Sequence, residues 1–238
     1  MEPFRVKTIG ILGGIGPEST VEYYRLMIAE YRERRRDNSY PPIILNSINL
    51  TGIVRLVEAN DLAGLAGVLV RELAVLERAG AALALMAANT PHIVFDEVRR
   101  QTRLPLISIV EATRDAAKVL GLARPGLFGT RFTMQGGFYQ EVFSSAGMAV
   151  VVPAEDEQDA IHHIYMDELV LGDFRPASRE RLLAFAEALK ARTGMDGLIL
   201  GGTELPLILR DPTISGVPVL DTTRIHVNAA ISLALDGS

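Results

Sequence analysis

The chain has 238 residues, enough for one large domain or two of ordinary size, and 48% of them are hydrophobic, so it can bury a full core. Its 24 basic and 29 acidic residues are mixed along the sequence, and a net charge of −5 gives no footprint for a polyphosphate partner such as nucleic acid. There is no cysteine, which excludes disulfides, thiolate metal sites and thiol nucleophiles.

The start, Met1 to Lys7, lacks the basic opening and long apolar run of a signal peptide, and no stretch approaches the roughly 20 apolar residues of a membrane span. A cytoplasmic protein without a membrane partner is expected. Val6 to Leu12 predicts a strand, Gly13-Gly14-Ile15-Gly16 a tight turn, and Pro17 with Glu18 the first turn of a helix, where a missing N–H costs nothing and a carboxylate complements the dipole. That helix runs to Arg36 and breaks at Asp37-Asn38-Ser39. Ile43 to Leu50 predicts a second strand with a polar carboxyl end, Asp61 to Arg78 a helix stopped by Gly80, and Ala82 to Ala87 a third strand. Helix, strand and helix follow at Pro91 to Arg100, Leu104 to Ile109 and Glu111 to Leu120.

The pattern then begins again. Gly126-Leu-Phe-Gly-Thr130 repeats Gly10-Ile-Leu-Gly-Gly14 at an offset of 116, Ala88 maps to Gly202 at 114, and Leu104-Pro105 to Val217-Pro218 at 113. Such a drift is what loop differences between duplicated halves produce. The second half fills in with a strand at Val150 to Pro153, helices at Glu155 to Leu171 and Arg179 to Arg192, and a last helix from Thr222 to Leu235 that packs back on the first half. Alternating strands and helices imply an α/β fold of two pseudo-symmetric, doubly wound parallel-sheet domains with a site in the cleft between them. The division expected is 1–110 with 215–238 for the first domain and 111–214 for the second.

Ligands in open α/β sheets bind beyond the carboxyl ends of the strands. Gly14, Asn49, Asn89, Thr90, Thr130, Arg131, Thr133 and Thr203 fall there and are the candidate substrate-binding residues; Glu204 and His92 are the candidate proton-transfer groups. Each has a plainer reading. Asn and Thr at such positions cap helices, the glycines serve a tight turn, His92 is a buried structural histidine, and Arg131, like Arg55, is a solvated charge. The glycine turn does not complete a dinucleotide fingerprint, since Ser19 stands where the third glycine belongs, and no lysine makes it a phosphate loop. His162-His163 with Asp159 and Glu168 invites a metal, but adjacent helical side chains point about 100° apart, so no metal is expected.

Ile9-Gly-Ile-Leu-Gly-Gly-Ile-Gly-Pro17, Asn89-Thr-Pro-His92, Glu155-Asp-Glu-Gln158, Gly201-Gly-Thr-Glu-Leu205 and Val217-Pro-Val-Leu-Asp221 together resemble the aspartate/glutamate racemase family, the cofactor-independent amino-acid racemases. The resemblance spans nearly the whole chain and implies a homodimer of two-domain subunits with no cofactor. In that family a cysteine precedes each polar pair, and the two thiols exchange a proton with the substrate α-carbon from opposite sides; here those positions are Ala88 and Gly202. The resemblance places Asn89, Thr90, Thr130, Thr203 and Glu204 at carboxylate-binding and supporting positions and gives Gly201-Gly202 N–H groups for an oxyanion. Glu204, beside the missing second thiol, becomes the acid or base by position if burial raises its pKa, with His92 its counterpart.

The function expected is therefore an isomerase of that family acting on, or binding, a small acidic amino acid or dicarboxylate. The alternatives are a catalytically silent carboxylate-binding protein, or a decarboxylase or isomerase that uses other residues.

Overall fold

The computed structural model describes residues 6–236, so the expectation for the start of the chain lies largely outside the described residues. The chain separates into two units, one running to Ile109 and resuming at Thr223, the other spanning Val110–Thr222. In chain order the first holds β1 (Ile9–Gly13), α1 (Pro17–Arg35), β2 (Ile43–Ser47), α2 (Leu50–Glu58), α3 (Leu62–Arg78), β3 (Leu83–Met86), a 3-10 turn at Thr90–Val94, α4 (Phe95–Gln101) and β4 (Leu106–Ile107). The second holds most of α5 (Ile109–Val119), then β5 (Pro125–Gly129), α6 (Arg131–Gln135), α7 (Phe138–Ser144), α8 (Glu155–Asp167), α9 (Pro176–Thr193), β6 (Gly197–Gly201), α10 (Leu205–Ile208), β7 (Thr213–Ile214) and β8 (Val217–Asp221). Helix α11 (Thr222–Leu235) belongs, from Thr223 on, to the first unit.

The first sheet has the order β2-β1-β3-β4 and is parallel throughout. The second has β5-β6-β8-β7, parallel except for the hairpin edge β7. Strands β1 and β3 are buried at every position, as continuous apolar runs covered by helices on both faces must be. On one face, Ile9, Ile11, Leu83 and Leu85 pack with Tyr23 and Met27 of α1 and Val227 and Ile231 of α11. Each such side chain contributes about 1.5–3 kcal/mol on burial.

The internal repeat is present in the registers. Ile9 stands opposite Leu83 and Ala84 opposite Leu106 in the first sheet; Pro125 stands opposite Gly197 and Leu198 opposite Val219 in the second. The corresponding positions differ by 116, 114 and 113, the offsets already visible in the sequence.

Four local expectations need correction. The second strand stops at Ser47, because Asn49 caps a helix the alternating pattern hid: its side chain accepts the Thr51 N–H at 2.9 Å and starts α2. The strand expected at Val150 to Pro153 is reduced to a bridge between Val151 and Gly126, since Pro153 has no N–H with which to extend the ladder. The helix expected to run to Leu171 ends at Asp167, with a 3-10 turn at Leu169–Leu171. The segment from 215 to 222, expected with the first domain, lies in the second unit, because β8 hydrogen-bonds along β6.

Candidate functional site

In the first unit the polar candidates sit at the carboxyl ends of neighbouring parallel strands, as strand-to-helix connections in such a sheet require. Gly14 follows β1, Asn49 follows β2, and Asn89 and Thr90 follow β3. Ser108, buried just beyond β4, joins the row, although nothing in its local sequence distinguishes it. Ala88, the residue before Asn89, carries a bare methyl group.

Two of these residues are committed to the turn itself. Gly14 has φ +77°, a side chain there would collide with the backbone of Ile48, and its N–H donates to Thr20 Oγ1 at 2.9 Å. That N–H is thus spent on holding α1 to β1, and the carboxylate-anchor reading of Gly14 gives way to the tight-turn reading. Asn49 is exposed and engaged as the cap of α2.

His92 is likewise structural. Its Nδ1–H donates to the Ala88 carbonyl at 3.0 Å, and its Nε2 accepts the Ile109 N–H at 3.2 Å, so both ring nitrogens are occupied by backbone. The ring stacks on Phe95 and is 3% exposed. Burial, with the nearby His226 adding to it, pushes its pKa down to about 3, and it stays neutral. The expectation that it moves a proton is corrected: it fixes the turn that carries Ala88 and Asn89. His226 repeats the arrangement nearby in the same unit, donating from Nε2 to the Ile107 carbonyl and accepting the Tyr23 hydroxyl on Nδ1, both at 2.9 Å.

In the second unit the equivalent edge carries Thr130 and Thr133 after β5, Thr203 and Glu204 after β6, and Thr222 after β8. Thr130 caps α6, accepting the Thr133 N–H at 3.2 Å and meeting the Thr133 hydroxyl at 3.1 Å. Arg131 turns to Asp159, with Nε 2.8 Å from Oδ1, and its N–H donates to His162 Nδ1. Its guanidinium is therefore shared with a carboxylate of the chain itself, and Arg55 is exposed on α2. His162 and His163 go to different partners, His163 facing Asp167. Among the described residues no group of three or more His, Asp or Glu side chains is placed to hold a metal ion.

At the centre of this edge is a group the sequence leaves unmarked. Tyr165 lies on the buried face of α8 with Gln158, Ile161 and Ile164, a spacing that reads as ordinary helix packing. Its ring lies so close to Gly202 that a Cβ there would stand 3.0 Å from Cζ and 3.1 Å from Cδ2, nearer still to Cε2. Its hydroxyl donates to Glu204 Oε2, which Thr203 Oγ1 also reaches, at 3.1 Å. Glu204 is fully buried and is the one buried carboxylate among the described residues. Burial, reinforced by the adjacent carboxylate, drives the Tyr165 pKa well above 10, so the phenol remains a donor. A carboxyl group held by two hydroxyls in a dry setting suits proton exchange and a purely structural contact alike.

Among the described residues no helix is long and apolar enough to cross a membrane. Residues 12–230 match the Asp/Glu/Hydantoin racemase family. The chain is 23% identical to the broad specificity amino-acid racemase RacX of Bacillus subtilis (strain 168), over 95% of this chain and 98% of that one. Among solved structures, an aspartate racemase homologue from Pyrococcus horikoshii OT3 is 37% identical, with a TM-score of 0.81 over 96% of this chain and 99% of that one. The Picrophilus torridus aspartate racemase shares the fold at 24% identity, with a TM-score of 0.77 over 96% and 94% of the two chains. A matching two-unit α/β fold, an identity above one third over nearly the full length, and a family match across both halves lead to one conclusion: the chain belongs to the Asp/Glu/Hydantoin racemase family.

Proposed function

We propose that this protein is a cofactor-independent isomerase-family enzyme whose ligand is a small acidic amino acid or dicarboxylate, with Glu204 exchanging a proton with the ligand carbon. The observation that carries the reading is the Glu204 carboxylate, buried at the carboxyl end of β6 and held by Tyr165 and Thr203. Each unit has neutral polar groups of the kind that receive a carboxylate at its own strand ends, Asn89 and Thr90 after β3 and Thr203 after β6. Support for a small amino-acid ligand comes from the relatives' names, amino-acid and aspartate racemases.

The chemistry differs from a two-thiol mechanism because Ala88 and Gly202 carry no ionisable group. Independence from a pyridoxal-type cofactor fits the lysines: Lys7 and Lys190 donate to backbone carbonyls, and Lys118 is exposed on α5. The reading extends, on the same resemblance, to a cytoplasmic homodimer, for which sedimentation gives the subunit number.

The experiment is calorimetric titration of both enantiomers of aspartate and glutamate and of four- and five-carbon dicarboxylates, followed by proton NMR of each in D2O with the protein. Saturable binding of at least one acid, with deuterium entering its carbon and Glu204→Gln abolishing that entry, is expected. Binding with no exchange favours a silent carboxylate-binding protein, the reading that the missing thiols suggest. No binding of any acid ends both.

A further inference from the structure

We infer that the open edge of β2 is the seam at which two copies of this chain join. The β2 strands of the two copies run antiparallel about Leu45 and extend the first unit's sheet to eight strands, four from each copy. The inference rests on the two-subunit reading above and adds the surface that makes the contact.

A strand at the edge of a sheet carries a row of unpaired N–H and C=O groups, and folded proteins shorten, charge or cover such edges. Three of the four sheet edges here follow that rule. Strands β4 and β7 are two residues long. The edge of β5 is met by the segment that bridges Val151 to Gly126, where the Leu127 N–H donates to the Val151 carbonyl and the Val151 N–H to the Pro125 carbonyl. Strand β2 is the exception among the described residues. It is five residues long, ends the order β2-β1-β3-β4, and reads Ile43-Ile-Leu-Asn-Ser47, without a charge or a proline.

The direction of its backbone groups follows from the two bonds that flank the ladder. The Pro42 carbonyl accepts the Ile9 N–H and the Ile48 N–H donates to the Gly13 carbonyl, both at 2.9 Å, so it is the even-numbered residues of β2 whose backbone groups face β1. Ile43, Leu45 and Ser47 therefore present their N–H and C=O groups on the open side. An antiparallel copy with its Leu45 opposite Leu45, and its Ser47 opposite Ile43, meets every one of these groups, because residues opposite each other in a hydrogen-bonded pair exchange both bonds. The arrangement is its own two-fold mate, as a closed dimer requires.

The side chains agree with that pairing. Alternation puts Asn46 on the α3 face, where its amide donates to Glu72, and Leu45 on the α1 face, where its Cδ1 and Thr20 Cγ2 converge on Gly13. Val21 and Tyr24, one and four residues beyond Thr20, are 60% and 51% exposed and Leu45 is 47% exposed, so apolar surface is left on the layer that a second copy meets. The two-fold that pairs the β2 strands also sets the two α1 helices antiparallel in that layer. The acidic start of each, Glu18 and Glu22, then lies toward the basic end of the other, Arg32 and Arg35. A second copy supplies both the bonding pattern and the matching charges by construction.

The test is sedimentation velocity of the full chain over a range of concentrations, for wild type, Leu45→Lys and Leu45→Cys. Wild type should sediment as a dimer. Leu45→Lys sets two like charges directly opposite each other and should weaken association at least about tenfold, with the far-ultraviolet circular dichroism unchanged. The chain has no cysteine of its own, so Leu45→Cys can form a disulfide only between copies, and the ~5.5 Å Cα separation of a hydrogen-bonded pair is within disulfide reach. After mild oxidation it should run as a covalent dimer on a non-reducing gel, while Leu171→Cys, at a residue 74% exposed in the second unit, should stay monomeric. Leu45→Cys decides alone if Leu45→Lys fails to fold.

Association of Leu45→Lys as tight as wild type, or a dimeric Leu45→Cys that does not cross-link, overturns the seam and leaves the two-subunit reading standing. Cross-linking at position 171 as complete as at position 45 marks random collision and overturns the seam as well. A wild type that sediments as a monomer at every concentration removes the seam and the two-subunit reading together.

Discussion

The Tyr165 ring packs on the backbone of Gly202 so closely that the two positions share one volume, and the phenol oxygen it carries is bonded to Glu204. The absence of a side chain at position 202 thus goes with the placement of Tyr165 in this chain. A thiol introduced at position 202 by a single substitution would force the ring out of its place.

Gly202→Ala should therefore lower stability by about 1–3 kcal/mol, the usual cost of overpacking a filled interior. In a Tyr165→Ala background the same change should cost less than about 0.5 kcal/mol, because neighbours that compete for space are non-additive. Urea unfolding of the four proteins measures the coupling. An equal penalty in both backgrounds would show that the ring is not what excludes the side chain.

His92 and His226 give the fold a defined dependence on pH. Both are buried and neutral, with pKa values lowered to about 3 and about 4 by burial, while an unfolded histidine titrates near 6.5. The unfolded state therefore binds more protons than the folded one below that value. The stability these residues contribute is complete above about pH 6.5 and falls as pH drops from there toward the native values, by about 1.4 kcal/mol per unit for each histidine. Urea unfolding between about pH 7.5 and about pH 5.5 should show this slope, and His226→Gln should remove about half of it. A flat profile would mean the histidines are protonated in the native state.

Asn89 is buried at the start of the 3-10 turn. Asn89→Asp sets a carboxylate against an acidic ligand and should weaken binding by tenfold or more in calorimetry, as like charges a few ångströms apart in a poorly solvated site repel. Unchanged affinity would remove Asn89 from the binding set.

Arg131 should behave as a surface pair. Its guanidinium and Asp159 are 38% and 47% exposed, so Arg131→Ala is expected to alter stability by less than about 1 kcal/mol. Because Asp159 already holds the cation, ligand affinity should fall less than threefold in the same titration. A larger loss would restore the residue to the role of carboxylate anchor.

The amino-acid sequence determined the fold to an unusual depth here. Apolar runs ending in Gly14, Asn89, Thr130 and Thr203 place these residues at strand ends, and the offsets of 116, 114 and 113 reappear as pairing registers, because a strand buried on both faces leaves the same apolar signature wherever it occurs. Helix α2 was less legible, since Ile48 and Leu50 around Asn49 continue a strand-like alternation that only the cap bond to Thr51 interrupts.

What tertiary structure alone decided is which polar groups are already spent. Sequence placed His92, Glu204, Gly14 and Arg131 at the carboxyl edges of the two sheets, but could not show that the His92 nitrogens, the Gly14 N–H and the Arg131 guanidinium meet partners within their own units. Nor could it join Tyr165 to Gly202 and Glu204, which lie 37 and 39 positions away along the chain. Local pattern encodes which face of an element is buried; it carries no record of which distant side chain arrives there.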